Sequence, residues 1–250
     1  MKSLNQYIKE KLIINQRFDE KLIINKNYRD NTIVVKSFDE LRKIIEDRYD
    51  KLGAGTKRKP IDFNDIDVSN IDSFCAENVG IFEYTKFKYI DISYWDVSNV
   101  KSMRHMFYEC KELESVGDLS KWNVSKVIYM SYMFYCCEKL KSLGDISHWD
   151  VSSVTDMCYM FKLCISFNKD LSGWHVSNVI DMVMMFYGCE SLNTDISNWN
   201  VLNVINMTKM FAKCKSFNQN LSNWDVSKVM YYSYIFENCP IKEEYKPKFK

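Results

Sequence analysis

Six tryptophans divide most of this chain into repeats of nearly equal length. They are all the tryptophans of the 250-residue sequence, and successive ones lie 27, 27, 25, 25 and 25 residues apart: Trp95, Trp122, Trp149, Trp174, Trp199 and Trp224. A single repeat of this length cannot bury its own apolar face, whereas stacked copies bury a continuous core. The spacing therefore predicts a solenoid of six tandem repeats over residues 91–240.

The other apolar residues keep the register of the tryptophans. Val follows each Trp at two and five positions, Phe at twelve and Cys at fifteen, and Met fills positions eight and eleven in the first five copies. In the first copy, residues 100–110 carry this pattern at i, i+3, i+6, i+7 and i+10, which is one face of a short helix. Ser98 and Asn99, just before it, are natural N-cap residues.

The segment before each Trp predicts the second element of the repeat. It is short and β-prone, as in residues 195–201, and we expect it to be the strand that stacks into a parallel sheet. The predicted fold class is therefore α/β. It is a leucine-rich-repeat-like solenoid of stacked short parallel strands and short helices, with a small N-terminal α/β cap.

The residues before and after the six copies differ from them. Residues 61–90 are a degenerate capping repeat, in which Ile66 stands where the full copies have Trp. Residues 241–250 form a charged tail, which is expected to fray after Pro240 stops the last helix.

Residues 1–60 are predicted to be a charged cap or anchor segment. Residues 10–15 recur as residues 20–25, and residues 32–35 have the composition of a strand. Ser37 and Glu40 form a capping box for a helix that runs to about Lys51, with Gly53 as its C-cap. The segment is either a small cap on the repeats or an anchor for assembly into a larger complex.

Charge and hydropathy argue against several classes of function. The net charge is +1, and although residues 1–60 hold 15 Lys and Arg against 9 Asp and Glu, acids interrupt the basic residues, so nucleic-acid binding is not expected. No apolar stretch approaches the roughly 18 residues of a membrane span. We see neither a signal peptide nor a lipid-attachment Cys, which favours a cytoplasmic or phage-particle protein. The sequence does not indicate an oligomeric state.

Three groups of residues could carry chemistry, and each has a simpler structural interpretation. The Cys that ends each repeat lacks the paired spacing of a metal site and is expected to be buried and reduced. The three His do not converge in register. An acidic ladder stands four residues before each Trp and either binds calcium or forms turn hydrogen bonds: Asp91, Asp118, Asp145, Asp170 and Asp195, with Asn220 in the last copy. The sequence predicts no catalytic residue, no cofactor and no metal site, and we expect no enzyme activity.

The repeat also resembles a known family. The string Asp-Leu/Ile-Ser-x-Trp-Asp-Val-Ser-Asn-Val-x-x-Met-x-x-Met-Phe-x-x-Cys-x-x-Phe-Asn is seen, with small variations, in residues 170–189 and 195–218. It is similar to the repeats of BspA-type leucine-rich-repeat surface proteins. The resemblance covers about residues 63–240. It implies a leucine-rich-repeat-like fold and, for many members, attachment to the cell surface and adhesion.

The predicted function is therefore binding. We expect a protein or glycan partner to contact exposed positions of the repeats, possibly in surface or phage-particle adhesion, since tyrosines are effective binding anchors. The candidate residues are Tyr94, Tyr108, Tyr129, Tyr132, Tyr159 and Tyr187. The alternative is an architectural protein that assembles through residues 1–60.

Overall fold

A computed structural model describes residues 32–250. The duplicated segment at residues 10–15 and 20–25 lies outside the described residues. Within 32–250 there are six two-residue strands, one α-helix and one 3₁₀ helix, and the rest is turns and irregular backbone. The elements are β1 (Ile33–Val34), α1 (Phe38–Leu52), β2 (Ile61–Asp62), β3 (Ile66–Asp67), β4 (Cys75–Ala76), β5 (Val79–Gly80), β6 (Ile90–Asp91) and the 3₁₀ helix Glu243–Tyr245.

The N-terminal elements cover the first repeats. β1 pairs in parallel with β3, β2 pairs in parallel with β6, and β4 and β5 form an antiparallel hairpin. The predicted cap residues of helix α1 are confirmed, because the Ser37 side chain accepts the Glu40 N–H at its start and Gly53 follows its last residue. The carboxylate of Glu40 differs from a standard capping box, since it accepts the N–H of Lys36 at 2.8 Å and not that of Ser37. Leu41 and Ile45 bury the inner face of α1.

Successive repeats lie side by side and are joined by backbone hydrogen bonds. One ladder of parallel bridges runs through the residue seven after each Trp and its equivalent in the degenerate copy: Ser73, Ser102, Tyr129, Asp156, Asp181, Asn206 and Tyr231. A second ladder joins Tyr89, Ser115 and Ser142, in the part of the chain with 27-residue spacing. Each repeat therefore contacts its sequence neighbours, and one apolar core extends from Ile33 to Ile241.

The predicted helix within each repeat is wrong. Residues 100–110 form consecutive turns, in which Met106 N–H donates to Met103 O within the repeat while Phe107 N–H donates to Met133 O in the next one. The backbone adopts positive φ ten and fourteen residues after Trp, at 55° for His105 and 58° for Glu109, which no α-helix allows. In tight turns of this size, as in a helix, a side chain points to the core every three to four residues. The spacing of apolar residues is therefore the same for both.

The predicted strand before Trp is also wrong for the repeats. Ile90–Asp91 is the one strand among these segments, and the corresponding residues of the later copies have no regular secondary structure. The acidic ladder forms a turn directly after its own position in every copy: each Asp or Asn four before Trp accepts the N–H of the residue two positions later, at 2.9–3.0 Å. These hydrogen bonds agree with the turn interpretation of the ladder.

The Trp and Cys residues lie in the core and connect neighbouring repeats. The indole N–H of each Trp donates to a backbone carbonyl of the preceding repeat, as Trp149 does to Leu119 O at 3.0 Å. The thiol of each column Cys donates to a carbonyl of the preceding repeat, as Cys164 does to Phe134 O at 3.0 Å. These contacts confirm the predicted burial of the column up to Cys214, and Cys239 is half-buried. Each side chain satisfies a carbonyl that stacking removes from water.

The charged tail packs against the last repeat, contrary to the expected fraying. Ile241 is buried, and Leu221 N–H donates to Tyr245 O at 2.8 Å. The ring of Phe249 stacks on Tyr232 with centroids 4.3 Å apart. The apolar residues interspersed among the charges therefore cover part of the C-terminal end of the core.

Candidate binding surface

Aromatic side chains from neighbouring repeats meet on one outer face of the stack. They occupy the positions ten and thirteen after Trp, which flank the inward-pointing Met and Phe at eleven and twelve, and both positions face outward in the first four copies. We call this set the tyrosine surface: Tyr108, Tyr132, Tyr135, Tyr159 and Tyr187, together with His105 and Lys162.

The rings of the tyrosine surface form two parallel stacks. In one, the centroid of Tyr132 lies 4.8 Å from His105 and 4.6 Å from Tyr159, with interplanar angles of 12° and 6°. In the other, Tyr108 and Tyr135 lie 4.7 Å apart at 8°. These separations match the roughly 4.8 Å spacing of hydrogen-bonded neighbouring chains. The backbone ladder therefore sets the distance between the rings.

Lys162 places a positive charge among the tyrosines. Its Nζ lies 5.2 Å from the ring centroid of Tyr135, 5.3 Å from that of Tyr159 and 5.2 Å from that of Tyr187. An ammonium within about 6 Å of a ring face is attracted by the ring quadrupole. The surface thus combines flat apolar rings, hydroxyl groups and a cation held against them.

Burial keeps four tyrosines and the imidazole of this surface neutral near pH 7. Burial raises the pKa of Tyr132 to about 12, and burial also raises the pKa values of Tyr108, Tyr135 and Tyr159. Burial and the neighbouring Arg104 guanidinium lower the pKa of His105. The phenols therefore remain able to donate hydrogen bonds, and the imidazole is uncharged.

His105 also lies near a thiol, a proximity that the register of the repeats did not reveal. Its Nδ1 is 3.9 Å from Sγ of Cys75, which belongs to the degenerate repeat. Burial raises the pKa of Cys75, so its thiol stays protonated, whereas a nucleophilic cysteine needs a lowered pKa. The pair therefore lacks the activation that thiol catalysis requires.

Four of the six tyrosines expected from the sequence share this surface, and two lie elsewhere. Tyr94 is 63% exposed in the turn before Trp95, and its N–H donates to Asn64 Oδ1 at 2.7 Å. Tyr129 lies on the bridge ladder with the Arg104 guanidinium 4.6 Å from its ring centroid. Their places in the repeat, one before and seven after Trp, are not those of the tyrosine surface.

Sequence reasoning missed Tyr135, His105 and Lys162 as members of the surface. A usable signal was present, because Tyr135 and Lys162 both stand thirteen after Trp, in the same column as Tyr108 and Tyr187. His105 stands ten after Trp, in the column of Tyr132 and Tyr159. Once turns replace the helix, these two columns become neighbours on one face.

Within residues 32–250, no group of three or more His, Cys, Asp or Glu side chains is arranged to hold a metal ion. None of the helices in that range is both long enough and apolar enough to cross a membrane.

Comparison with known proteins identifies a family and one similar structure. A family model described as "Mycoplasma protein of unknown function, DUF285" matches residues 54–143 and 137–247. The crystal structure of a leucine rich cell surface protein from Faecalibacterium prausnitzii A2-165 is similar, with 18% identity and a TM-score of 0.40. The match covers 64% of this chain and 39% of that protein, so this chain spans less than half of its length. No curated protein matches the chain.

Proposed function

This chain belongs to the DUF285 family, whose description leaves the function open, and we propose that it is a non-catalytic repeat protein that binds a protein or glycan partner through the tyrosine surface. The proposal includes a solenoid arrangement of the repeats, supported by the backbone ladder that joins each repeat to the next. It also includes adhesion at a surface, supported by the resemblance of the repeat string to BspA-type proteins.

The proposal rests mainly on the position of three aromatic residues, each ten residues after Trp in successive repeats. His105, Tyr132 and Tyr159 have φ of 55°, 59° and 60°, in the left-handed region that costs residues other than glycine about 1–2 kcal/mol each. Gly or Asn would adopt this conformation with less strain. Every full repeat has positive φ at this position, so the turn path of the repeat sets this conformation. What singles out these three repeats is that they place stacked rings at an outward position, which favours a role beyond packing.

The geometry of the surface suits recognition. Tyrosine contributes a large contact area with only two side-chain torsions to fix, so ordering it on binding costs little entropy. Stacking already holds these rings in place before a partner arrives, which lowers that cost further. The phenol hydroxyls and the Lys162 ammonium add hydrogen-bond donors that can orient a partner.

The absence of catalysis is part of the proposal. Cys75 and His105 bring a thiol within 3.9 Å of an imidazole, and burial keeps that thiol protonated. A catalytic cysteine would need its thiolate stabilised by a nearby positive charge or a helix N-terminus.

Binding can be tested by screening the full chain against arrays of glycans and of extracellular-matrix proteins. We expect the Tyr132→Ala/Tyr159→Ala variant to lose at least about tenfold in affinity for any ligand found, because truncating central aromatic anchors costs 1–2 kcal/mol or more. The matched control is Tyr94→Ala/Tyr129→Ala, which removes two tyrosines from outside the surface.

Two outcomes would sink the proposal. One is the failure of the full chain to retain any ligand on either array. The other is an equal loss for both double variants, since the affinity would then not depend on the tyrosine surface. Circular dichroism and an unfolding curve for each variant separate loss of binding from loss of fold.

A further inference from the structure

The C-terminal end of the repeat stack carries a row of backbone donors without partners. In the preceding repeat, the N–H groups of four alternate residues donate to the last repeat: Met207, Lys209, Phe211 and Lys213, at 2.7–3.0 Å. The equivalent N–H groups of the last repeat belong to Tyr232, Tyr234, Phe236 and Asn238, and they have no hydrogen-bond partner among residues 32–250. This row, with the carbonyl of Met230, reproduces the pattern by which every earlier repeat holds its successor.

The side chains around the row are exposed where those of earlier repeats are covered. Tyr234 is 66% exposed, whereas Tyr132 and Tyr159, at the same position of earlier repeats, are half-buried against a neighbouring ring. Tyr231 and Met230 are 56% and 66% exposed. The tail covers the adjacent rings of Tyr232 and Phe236 but makes no hydrogen bond to the four donors.

Charge distinguishes this end from the rest of the repeats. Residues 205–250 contain 8 Lys and 4 Asp or Glu, whereas residues 61–204 contain 11 Lys or Arg and 20 Asp or Glu. A positively charged end attracts an acidic partner and repels a second copy of itself. Two such ends could not pair through their backbones either, because each would offer donors to donors.

We propose that this C-terminal end docks an acidic segment of a partner protein, which adds to the stack as one more turn-rich coil. The segment supplies carbonyl groups to the N–H groups of Tyr232, Tyr234, Phe236 and Asn238. Its side chains cover the ring of Tyr234. The mode of binding corresponds to strand addition at an open sheet edge, except that the added segment follows the turns of a repeat.

The path of the repeat restricts the partner further. In each full repeat, the residues ten and fourteen after Trp have positive φ, so a segment that follows the same path needs left-handed residues four positions apart. Gly and Asn take that conformation at the lowest cost, and Gly188 is an example within this chain. The partner segment should therefore be acidic, with apolar residues between two such positions.

A peptide with the sequence of residues 176–190 is a suitable probe, with Cys189 replaced by Ser to prevent oxidation. It carries Asp181 and Glu190 and contains Gly188 at one left-handed position. Its matched control is the same peptide with Asp181→Lys and Glu190→Lys. Both are titrated into the isotope-labelled full chain while backbone amide resonances are followed by NMR.

We expect the acidic peptide to shift the amide resonances of residues 232, 234, 236 and 238 and to slow their hydrogen exchange. The basic peptide should bind at least about tenfold more weakly, because its charges oppose those of the end. Tyr234→Ser should weaken binding of the acidic peptide. Tyr94→Ser, which changes a similarly exposed tyrosine at a distance, should leave it unchanged.

Three results would overturn the inference. The four amides could remain unshifted at saturating acidic peptide, or both peptides could bind equally. Light scattering could also show that the full chain dimerises in a way that Tyr234→Ser abolishes, which would assign the end to a second copy. None of these results depends on whether the tyrosine surface binds its own ligand.

Discussion

The two ends of the repeat stack are finished in different ways. At the N-terminal end, helix α1 lies across the first repeats, and its arginines reach backbone carbonyls: Arg42 donates to Gly80 O and Arg48 to Asp62 O. At the C-terminal end, the tail covers apolar rings but leaves four N–H donors without partners within residues 32–250. At the N-terminal end, arginine side chains donate to backbone carbonyls of the repeats. At the C-terminal end, backbone N–H groups remain available for an acceptor, so the two ends are not equivalent.

Arg48 is the residue on which the closed end should depend most. Its side chain is only 4% exposed, and its guanidinium makes two 2.7 Å hydrogen bonds to the carboxylate of Asp65 and lies 5.0 Å from the ring centroid of Phe63. We expect Arg48→Ala to lower the free energy of unfolding by about 3 kcal/mol, because it removes a buried cation from the Asp65 carboxylate, which is 30% exposed, and leaves a cavity beside Phe63. Urea denaturation measures this directly.

The control for this variant is Arg42→Ala. Arg42 is more exposed, at 23%, and its replacement removes a surface i,i+4 pair with Glu46 and one hydrogen bond to Gly80 O, so it should cost about 1 kcal/mol. Equal effects of the two variants would mean that the buried pair does not hold the N-terminal end, and the contrast between the ends would weaken.

At the other end, Phe249 tests whether the tail is part of the fold. Its ring stacks on Tyr232 at an interplanar angle of 11°. Phe249→Ala should cost about 1 kcal/mol, the usual contribution of an aromatic pair. Lys248→Ala, one residue away and exposed, should cost nothing measurable. If the unfolding midpoint does not change in Phe249→Ala, the tail does not contribute to the fold, as its charged sequence suggests.

The repeat itself could be predicted from the sequence, because large apolar residues recur at each period and are buried. The burial of the Trp, Met, Phe and Cys residues and the cap of α1 from Ser37 to Gly53 also follow from residue type and spacing. The local backbone does not follow. A succession of tight turns and a helix place apolar residues at the same three- and four-residue intervals, and no Gly or Asn marks most of the left-handed positions.

The candidate surface was predicted in part for a related reason. Tyr108, Tyr132, Tyr159 and Tyr187 were recognised as exposed tyrosines, but their grouping depends on the turn path. That path brings the columns ten and thirteen after Trp onto one face and adds Tyr135 and Lys162. The row of donors at the C-terminal end could not be predicted at all, because it depends on the direction of hydrogen bonds between repeats.

The smallest effect we predict concerns the turn before each Trp and separates the last repeat from the others. Hydrogen bonds from the N–H and hydroxyl of Ser197 lower the pKa of Asp195, and those from Ser147 do the same for Asp145. A carboxyl whose folded pKa lies below its unfolded value contributes stability above the unfolded pKa, near 4, and loses it as the pH falls through the folded pKa. Asn220 takes the same place in the last repeat and does not titrate.

Hydrogen exchange followed from pH 5 down through the folded pKa of these carboxyls, corrected for intrinsic rates, tests this difference. The amides of Ser147 and Ser197 should lose protection at the lower pH, because a protonated carboxyl is a weaker acceptor for them. The amide of Ser222, which donates to Asn220, should keep its protection, and Asp195→Asn should make Ser197 behave in the same way. If Ser222 loses protection together with the others, acid opens the stack from its C-terminal end, and the unpaired donors rather than the carboxyls set its stability there.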